Sequence, residues 1–241
     1  MEVNKVICGD CLEEMKKMEN NSVDLILIDP PYFETRGEFD FIWKNYKEYK
    51  TFMFDVLIEL NRVLKNTGSI YIYGLYEVLV DMYLFLKKNK LNFRQFITWN
   101  FKNGNRTNNN FSMVCEYILY FTKSDNFTFN MDDIRTKDWV HGKWEKGCNI
   151  NGMCATNYFE DNKIVHNNKY ERTSHPTQKP LSQIKKLILA SSNKNNIVLD
   201  CFAGSGTTGV ACKQLGRNYI LIEKEQKYID IINKRLQQGV L

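Results

Sequence analysis

The sequence predicts an α/β fold in which a mostly parallel sheet is covered by helices on both faces. Apolar runs typical of buried strands alternate along the chain with segments of helical spacing, which is the pattern of strand–helix–strand units. Two of these runs end in turn motifs, Asp29-Pro30-Pro31-Tyr32 and Phe202-Ala203-Gly204-Ser205-Gly206-Thr207-Thr208. The 241 residues suffice for one large domain, or for one domain with a small insertion.

The alternation begins with a buried strand at 23–28, which is followed directly by turn residues. Helical spacing covers 48–64, and Asn66-Thr67-Gly68 is expected to stop that helix. The elements predicted next are a strand at 69–73, a helix at 76–88, and strands at 96–99 and 117–121. The elements predicted near the C-terminus are a helix at 181–191, a strand at 197–200, a helix at 207–215, a strand at 219–222 and a helix at 225–236.

Residues 122–173 interrupt this order. They are rich in Asn, Asp, Gly and Lys, and no apolar period persists in them. Trp139, Trp144, Tyr158 and Phe159 supply apolar anchors. A loop-rich insertion is therefore favoured over a disordered segment.

Composition and charge narrow the class of protein. No window holds roughly 18 uninterrupted apolar residues, so no membrane-spanning segment is expected. The first residues lack the form of a signal peptide, and the seven cysteines are expected to be reduced thiols of a cytoplasmic protein. Neither Cys8/Cys11 nor Cys148/Cys154 fits a standard zinc pattern, so no metal is expected. The net charge of +5 is compatible with a polyanionic partner.

The glycine-rich turn has the layout of a nucleotide-type cofactor site. The segment Gly204–Gly209 matches G-x-G-x-x-G, follows a predicted strand and opens a predicted helix, and Glu223 ends the next strand. A dinucleotide fold needs further strands after this unit, yet only 18 residues follow Glu223. A nicotinamide cofactor and a turn without any ligand therefore fit less well. The threonine pair and Phe202 favour S-adenosylmethionine.

The Asp-Pro-Pro-Tyr turn suits the chemistry of an aromatic amine. Asp29 ends a strand at the edge of the sheet where ligands of open α/β sheets bind. Hydrogen bonds from an exocyclic amino group to the Asp29 carboxylate and the Pro30 carbonyl would return electron density to a poorly nucleophilic nitrogen. Pro31 stiffens the turn, and Tyr32 offers a ring to stack on a flipped base. The alternative is a strand-ending turn without function, but the two motifs together favour methyl transfer to a nucleobase amino group.

On these motifs the chain resembles the S-adenosylmethionine-dependent DNA amino-methyltransferases of restriction–modification systems, over nearly its whole length. The catalytic motif precedes the cofactor glycines, as in the beta arrangement of the N6-adenine/N4-cytosine family. The resemblance implies a circularly permuted, Rossmann-like methyltransferase fold with a mostly parallel seven-stranded sheet. It also divides the chain: residues 1–123 hold the catalytic part, 124–173 the target-recognition region, and 174–241 the cofactor-binding part of the same methyltransferase domain.

Further segments carry the resemblance and its implied site residues. Cys8-Gly9-Asp10-Cys11-Leu12 is similar to the family segment whose acid contacts the adenine of the cofactor, and Glu116–Lys123 to its Glu-x-x-x-x-x-x-Lys segment. His175-Pro176-Thr177-Gln178-Lys179-Pro180 matches the segment that lines the methionine end of the cofactor. Cys201 departs from the family's usual proline. The expected cofactor-binding residues are Asp10, Cys11, Asp29, His175, Thr177, Gln178, Lys179, Asp200, Phe202, Ala203, Gly204, Ser205, Gly206, Thr207, Thr208, Glu223 and Lys224.

Contacts with DNA are expected from basic residues near the catalytic turn and in the recognition region. The stretch 87–106 contains no acidic residue and suits phosphate contact, although a solvated helix end with its loop would have the same composition. The segment 33–47 is predicted to be a mobile loop near the flipped base. The residues assigned to DNA are Arg36, Lys102, Arg106, Lys143 and Arg172.

The resemblance implies a DNA adenine-N6 methyltransferase that acts by base flipping. Asp29 favours adenine over cytosine-N4 as the target, because the cytosine enzymes more often carry serine at that position. The rival from another class is a catalytically silent methyltransferase-like subunit that only binds nucleic acid. The implied partners are double-stranded DNA, a cognate restriction endonuclease and a second copy in a homodimer, in a prokaryotic or phage-encoded cytoplasmic protein.

Overall fold

The computed structural model describes residues 2–34, 38–105, 108–136, 152–161 and 171–238. The strands in these ranges are β1 (Lys5–Cys8), β2 (Val23–Ile28), β3 (Leu64–Gly74), β4 (Asn92–Asn105), β5 (Met113–Thr122), β6 (Tyr158–Phe159), β7 (Ile197–Asp200) and β8 (Asn218–Glu223). They form one sheet in the order β1-β8-β7-β2-β3-β5-β4-β6. The predicted count of seven strands is therefore wrong by one for the described residues, because the two-residue β6 pairs with β4 at Thr98 and Trp99.

Helices cover both faces of this sheet. Their bounds are α1 (Cys11–Lys16), α2 (Tyr46–Val63), α3 (Tyr76–Lys88), α4 (Leu181–Ser191), α5 (Thr207–Leu215) and α6 (Gln226–Gln237). Two short 3₁₀ turns cover Glu38–Asp40 and Met131–Ile134. The predicted stop at residues 66–68 lies inside β3, because α2 ends at Val63 and the chain continues directly as a strand.

The sheet is mostly parallel, as predicted. Among the described strands, β5 alone runs antiparallel to its two neighbours, β3 and β4. The C-terminal strands β7 and β8 lie between β1 and β2, and all of these pairs are parallel. The chain thus inserts its last two strands between its first two, which is how the permuted order of the motifs produces one continuous sheet.

The strand period of two sends alternate side chains to two apolar cores. Ile26 and Ile28 of β2 pack with residues of α1, α2 and α3, such as Met15, Leu57 and Leu79. Leu25 and Leu27 face the opposite layer, where the helices α4, α5 and α6 contribute Leu187, Ala211 and Ile232. Since β2 is buried on both faces, its sequence is continuously apolar.

This topology brings several strand ends to one edge of the sheet. Because β3, β2, β7 and β8 are parallel neighbours, their carboxyl ends carry Tyr73, Asp29, Asp200 and Glu223 to the same side. The described part of the chain has no helix with the length and apolar character needed to cross a bilayer.

Candidate active site

A cavity of about 620 Å³ opens at the carboxyl edge of the sheet. The ends of β2, β3, β7 and β8 form its floor, and the segment 175–179 closes one side. The sequence-predicted residues that line it are Asp10, Cys11, Asp29, Pro30, Pro31, Tyr32, His175, Thr177, Gln178, Lys179, Asp200, Phe202, Ala203, Gly204, Ser205, Thr207, Thr208, Glu223 and Lys224. One cavity therefore contains both turn motifs, although they are far apart in the sequence.

The Asp29 carboxylate stands directly after β2 and has a partner on each oxygen. The Tyr32 hydroxyl donates a hydrogen bond of 2.8 Å to Oδ1. The Lys179 ammonium lies 2.5 Å from Oδ2. The Asp29 side chain is 22% exposed, so it still faces the cavity while both oxygens are oriented.

The backbone of the Asp-Pro-Pro-Tyr turn is held from outside the motif. The amide of Tyr32 donates to Oδ1 of Asp40 over 2.7 Å, and the Tyr49 hydroxyl donates to the Pro31 carbonyl over 3.0 Å. Asp40 is 2% exposed, in the 3₁₀ turn that leads to α2. Sequence reasoning missed Asp40; the available signal was an acid placed between two phenylalanines, Phe39 and Phe41, soon after the turn.

Lys179 joins two carboxylates, that of Asp29 at the cavity and that of Glu116, which is buried. Its Nζ also lies 3.6 Å from Oε2 of Glu116, whose side chain is 2% exposed, in β5. The pKa of Asp29 lies above its ordinary value: burial is the largest influence and raises it, the Lys179 ammonium lowers it, and Glu116 raises it. Burial also raises the pKa of Tyr32 well above its ordinary value, so its hydroxyl keeps its proton and can donate to Asp29.

The glycine-rich turn packs closely against its surroundings. Gly204 has φ +49°, and its amide donates to Oε2 of Glu223 over 2.8 Å. A Cβ on Gly204 would lie 2.8 Å from Nε2 of His175, so only glycine lets these two segments meet. Gly206, with φ +74°, does not line the cavity; a Cβ there would lie 2.8 Å from Ile232 of α6. Its absent side chain allows the turn to pack on that helix.

Two acids that end the neighbouring strands β7 and β8 hold the same turn. Asp200 accepts from the Phe202 amide on Oδ1 (3.1 Å) and from the Thr208 hydroxyl on Oδ2 (2.6 Å), and burial raises its pKa to about 7. Glu223 accepts from the amides of Gly204 on Oε2 and Glu225 on Oε1. Backbone and hydroxyl donors thus fix both carboxylates at the cavity wall.

Comparisons with known proteins identify this arrangement. A family model described as DNA methylase matches residues 23–234. The chain belongs to the DNA methylase family. It is 37% identical over 237 residues to the type II methyltransferase M.HpaI of Haemophilus parainfluenzae, covering 96% of this chain and 74% of that protein. It is 35% identical over 246 residues to the DNA adenine methyltransferase YhdJ of Escherichia coli K12, covering 98% and 83%.

Solved structures confirm the predicted methyltransferase fold. The crystal structure of the M1.HpyAVI–SAM complex aligns with a TM-score of 0.72 at 26% identity, covering 96% of this chain and 98% of that chain. The cytosine-N4-specific PvuII DNA methyltransferase aligns with a TM-score of 0.73 at 16% identity, covering 100% and 97%, and this match concerns the fold alone.

In this methylase, several residues assigned to the cofactor also have structural partners. Asp10 caps α1, since its Oδ1 accepts from the Leu12 amide over 3.0 Å. The Gln178 amide group accepts from the Thr173 amide and donates to the Glu171 carbonyl, which braces the segment before α4.

His175 forms part of an aromatic wall of the cavity. Its ring packs edge-on against Tyr228, with centroids 4.5 Å apart, and lies parallel to Phe39 at 6.2 Å. Burial, aided by the positive charge of Lys179, lowers its pKa to about 4, so the imidazole is neutral at pH 7. Sequence reasoning missed the lining aromatics Tyr73, Phe52 and Tyr228. Only Tyr73 had a signal, since it ends the predicted strand next to the one that carries Asp29.

The structure describes only two of the five residues that the sequence assigned to DNA contacts, Lys102 and Arg172. Arg36, Arg106 and Lys143 lie outside the described residues. Lys102 lies in β4, and Arg172 is partly buried just before the cavity-lining segment, without lining the cavity itself. Within the predicted loop 33–47, the residues Phe39, Ile42 and Trp43 line the cavity. The mobility of that loop stays a prediction.

Proposed function

We propose that this methylase is a site-specific DNA adenine-N6 methyltransferase that uses S-adenosylmethionine and acts on an adenine flipped out of duplex DNA. The observation that carries the proposal is the shared cavity: Asp29 and Pro30 line the same space as the glycine-rich turn. The names of relatives support it, since YhdJ is a DNA adenine methyltransferase and M1.HpyAVI was crystallised with SAM.

The cavity residues fit the cofactor. Gly204 presents backbone without a side chain, and Glu223 stands beside it at the end of the next strand, where ribose hydroxyls are bound in nucleotide folds. Asp10, Phe202 and Lys224 complete the wall on this side. When bound, S-adenosylmethionine supplies a methyl group on a positively charged sulfur. An acid-lined wall suits that positive charge.

The catalytic turn prepares the target amine. Adenine's amino nitrogen is a poor nucleophile because its lone pair is delocalised into the ring. The Asp29 carboxylate and the Pro30 carbonyl would each accept a hydrogen bond from one N–H of the adenine amino group. Electron density then stays on the nitrogen, and its lone pair points away from the ring plane. The amine replaces the Tyr32 hydroxyl on Oδ1 of Asp29, which frees the Tyr32 ring to stack on the base. Positioning and fixed dipoles supply most of the rate gain.

The side chain at position 29 decides between the two bases. The similarity to a cytosine-N4 enzyme concerns the fold, so the fold does not separate the alternatives. A carboxylate offers a charged acceptor where the cytosine enzymes more often have a serine hydroxyl. We therefore keep cytosine-N4 methylation as the alternative outcome of the test below. A cognate restriction endonuclease is proposed because M.HpaI and M.HinfI are type II methyltransferases, and a homodimer stays a prediction.

The test is nucleoside mass spectrometry of plasmid DNA from a bacterial host that lacks its own adenine methylation. We expect N6-methyladenine with the wild type and a loss of at least roughly 10²-fold with Asp29→Ala, since an acceptor at the reacting group is removed. Calorimetry should show that Asp29→Ala still binds S-adenosylmethionine. N4-methylcytosine would reassign the base, and unmodified DNA from a cofactor-binding wild type would contradict the proposed reaction. Substantial activity in Asp29→Ala would refute the role of Asp29.

A further inference from the structure

We propose that Lys179 and Glu116 are positioning residues for Asp29: Lys179 fixes one carboxylate oxygen and keeps the group ionised, and Glu116 holds the cluster at a net charge of −1. This inference rests on the proposed function and extends it to the charge of the reaction centre. The resemblance of segment 175–180 implied only a contact of Lys179 with the cofactor.

The geometry separates the two oxygens of Asp29. Lys179 Nζ donates a hydrogen bond of 2.5 Å to Oδ2. Oδ1 accepts from the Tyr32 hydroxyl and is the oxygen that an incoming amine can reach. The Lys179 side chain is 8% exposed and comes from the segment before α4, 150 positions along the chain from Asp29. Such a pair, buried at the cavity wall, orients the carboxylate more rigidly than solvent could.

Glu116 acts through Lys179 and has no place on the cavity wall. Its Oε2 lies 3.6 Å from Lys179 Nζ, its side chain is 2% exposed, and it is absent from the cavity lining. Burying a carboxylate is costly unless a cation compensates it, and the Lys179 ammonium lies within 4 Å of both Asp29 and Glu116. A purely structural role for Glu116 would not require it to share its lysine with Asp29, the residue that contacts the target amine.

Aromatic rings enclose the ammonium. Lys179 Nζ lies 5.5 Å from the ring centroid of Tyr32, 5.2 Å from that of Tyr73 and 5.9 Å from that of Trp99. The faces of such rings attract cations, and the rings also exclude water from the ion pairs. The Lys179 charge is therefore confined to the space between Asp29 and Glu116.

The net charge matters because the methyl donor is a cation. Asp29 and Lys179 alone would be neutral as a pair, whereas Asp29, Lys179 and Glu116 together carry −1. Without Lys179, the carboxylates of Asp29 and Glu116 would repel each other and one would take up a proton. With Lys179 but without Glu116, the positive donor would face a neutral pair. The proposed roles of Lys179 and Glu116 would together keep an ionised acceptor and a negative field at the reaction centre.

Among the described residues, the titratable groups that face the cluster are Tyr32, Tyr73, His175, Asp200 and Asp161. Burial keeps the pKa of Tyr32 and of Tyr73 well above the ordinary value, so both hydroxyls are neutral. His175 has its pKa lowered to about 4 and is neutral at pH 7. Asp200, the last residue of β7, has a pKa of about 7 and repels Asp29, and the charge of Asp161 contributes to the raised pKa of Tyr73.

The first experiment follows the titration of the Asp29 carboxyl by ¹³C NMR in aspartate-labelled protein, with Asp29→Asn to assign the signal. Lys179→Met should move the midpoint to higher pH, because it removes the cation that lowers the Asp29 pKa. Glu116→Gln should move it to lower pH, because it removes a negative neighbour. Lys179→Arg should stay near the wild type. Shifts of the same sign in Lys179→Met and Glu116→Gln, or none, would overturn the proposal.

The pH at which kcat/KM on DNA falls on the acid side should shift as the NMR midpoint does: upward in Lys179→Met and downward in Glu116→Gln. At neutral pH, Lys179→Met should lose roughly 10²-fold in kcat. Lys186→Met is the matched control: Lys186 Nζ lies 4.3 Å from the Phe159 ring centroid, outside the cavity, and its removal should leave the acid limb in place.

If Lys179→Met does not fold, the double variant Lys179→Met/Glu116→Gln, which restores a net charge of −1, replaces it. A double variant that titrates like the wild type supports the charge balance, and an acid limb unmoved in every variant contradicts it.

A binding measurement tests the charge without any turnover. Glu116→Gln should weaken S-adenosylmethionine several-fold while leaving S-adenosylhomocysteine, which lacks the sulfonium charge, almost unchanged. Equal weakening of both ligands would argue against the role of Glu116. Neither NMR nor calorimetry needs a DNA substrate. Opposite NMR shifts in a protein that leaves DNA unmodified would therefore contradict the proposed function alone.

Discussion

Asp200 combines burial with two fixed hydrogen bonds, and its charge is costly for that reason. The residue is 5% exposed behind the glycine-rich turn, where its carboxylate accepts hydrogen bonds from the Phe202 amide and the Thr208 hydroxyl. Desolvation is the largest influence on it and raises its pKa to about 7 from an ordinary value of 3.8. A group whose pKa is raised on folding favours the folded state most at low pH, and this contribution falls as the pH rises through the folded pKa.

We expect Asp200→Asn to change the pH dependence of stability. Relative to the wild type, the free energy of unfolding of the variant should rise between about pH 4 and about pH 7, by a few kcal/mol at most, and be constant above. The asparagine can still accept from the Phe202 amide and donate to the Thr208 hydroxyl. Urea unfolding of both proteins at several pH values checks this.

The comparison must be a difference between the two proteins. His175 acts in the opposite sense, because its lowered pKa of about 4 makes folding more favourable as the pH rises towards 6.5. Its contribution cancels when the wild type is subtracted from the variant. A difference that does not depend on pH would mean that the Asp200 carboxyl titrates normally.

The sequence alone predicts residues that belong to local patterns, but not contacts between distant segments. Asp29 and Glu223 were predicted to end strands at a ligand-binding edge, because a strand period followed by a turn motif is a local pattern. The partnership of Lys179 with Asp29 and Glu116 is not local: it joins a loop, a strand end and an antiparallel strand. The support of Tyr32 by Asp40 was missed for the same reason, since it depends on how the 3₁₀ turn folds back.

Glycines at both ends of α5 show how a helix is joined to its neighbours. Gly206 precedes the helix with φ +74° and Gly216 follows it with φ +70°. A Cβ at Gly206 would lie 2.8 Å from Ile232 of α6, whereas a Cβ at Gly216 would have nothing within 4 Å. The two positions share the left-handed backbone conformation but differ in how closely other residues pack against them.

We therefore predict that Gly206→Ala destabilises the protein more than Gly216→Ala does. Each change should cost roughly 1–2 kcal/mol for the left-handed backbone, and Gly206→Ala should cost more because α6 must shift away from the turn. Free energies of unfolding from urea titrations give the comparison. Equal losses would show that α6 adapts without cost and that backbone strain alone decides.

The same contrast explains which elements were predictable. Helices α4 and α5 have the predicted bounds because the signals that set them are local in the sequence: a periodic apolar face in each, with Pro180 before α4 and Gly216 after α5. β1 was not predicted as a strand, since its four residues are partly exposed and lack an alternating pattern. It forms because β8 offers a parallel partner, with Ile7 opposite Ile222. β6 likewise depends on pairing with β4.

For the molecule as a whole, the order of strands ties the two ends of the chain together. β7 lies against β2 and β8 lies against β1, so the C-terminal strands complete a sheet begun by the N-terminal ones. Asp24 joins three strands, since its carboxylate accepts from the Ile197 amide and pairs with Lys65. The hydroxyl of Tyr73 donates to Gln183 of α4, across 110 positions.

This interleaving predicts that residues 174–241 do not fold alone. As a separate chain, β7 would lose its partner β2 and β8 its partner β1, and the apolar residues of α4 would lose the face formed by Leu25 and Leu27. Such open edges and exposed core are unfavourable for a short chain. Circular dichroism of the isolated segment should show no cooperative thermal transition, whereas co-expression with residues 1–173 should yield a complex that purifies through a tag on either part. A cooperative transition in the isolated segment would mean that it is a domain of its own, and that the interleaved sheet is an assembly of two folded units.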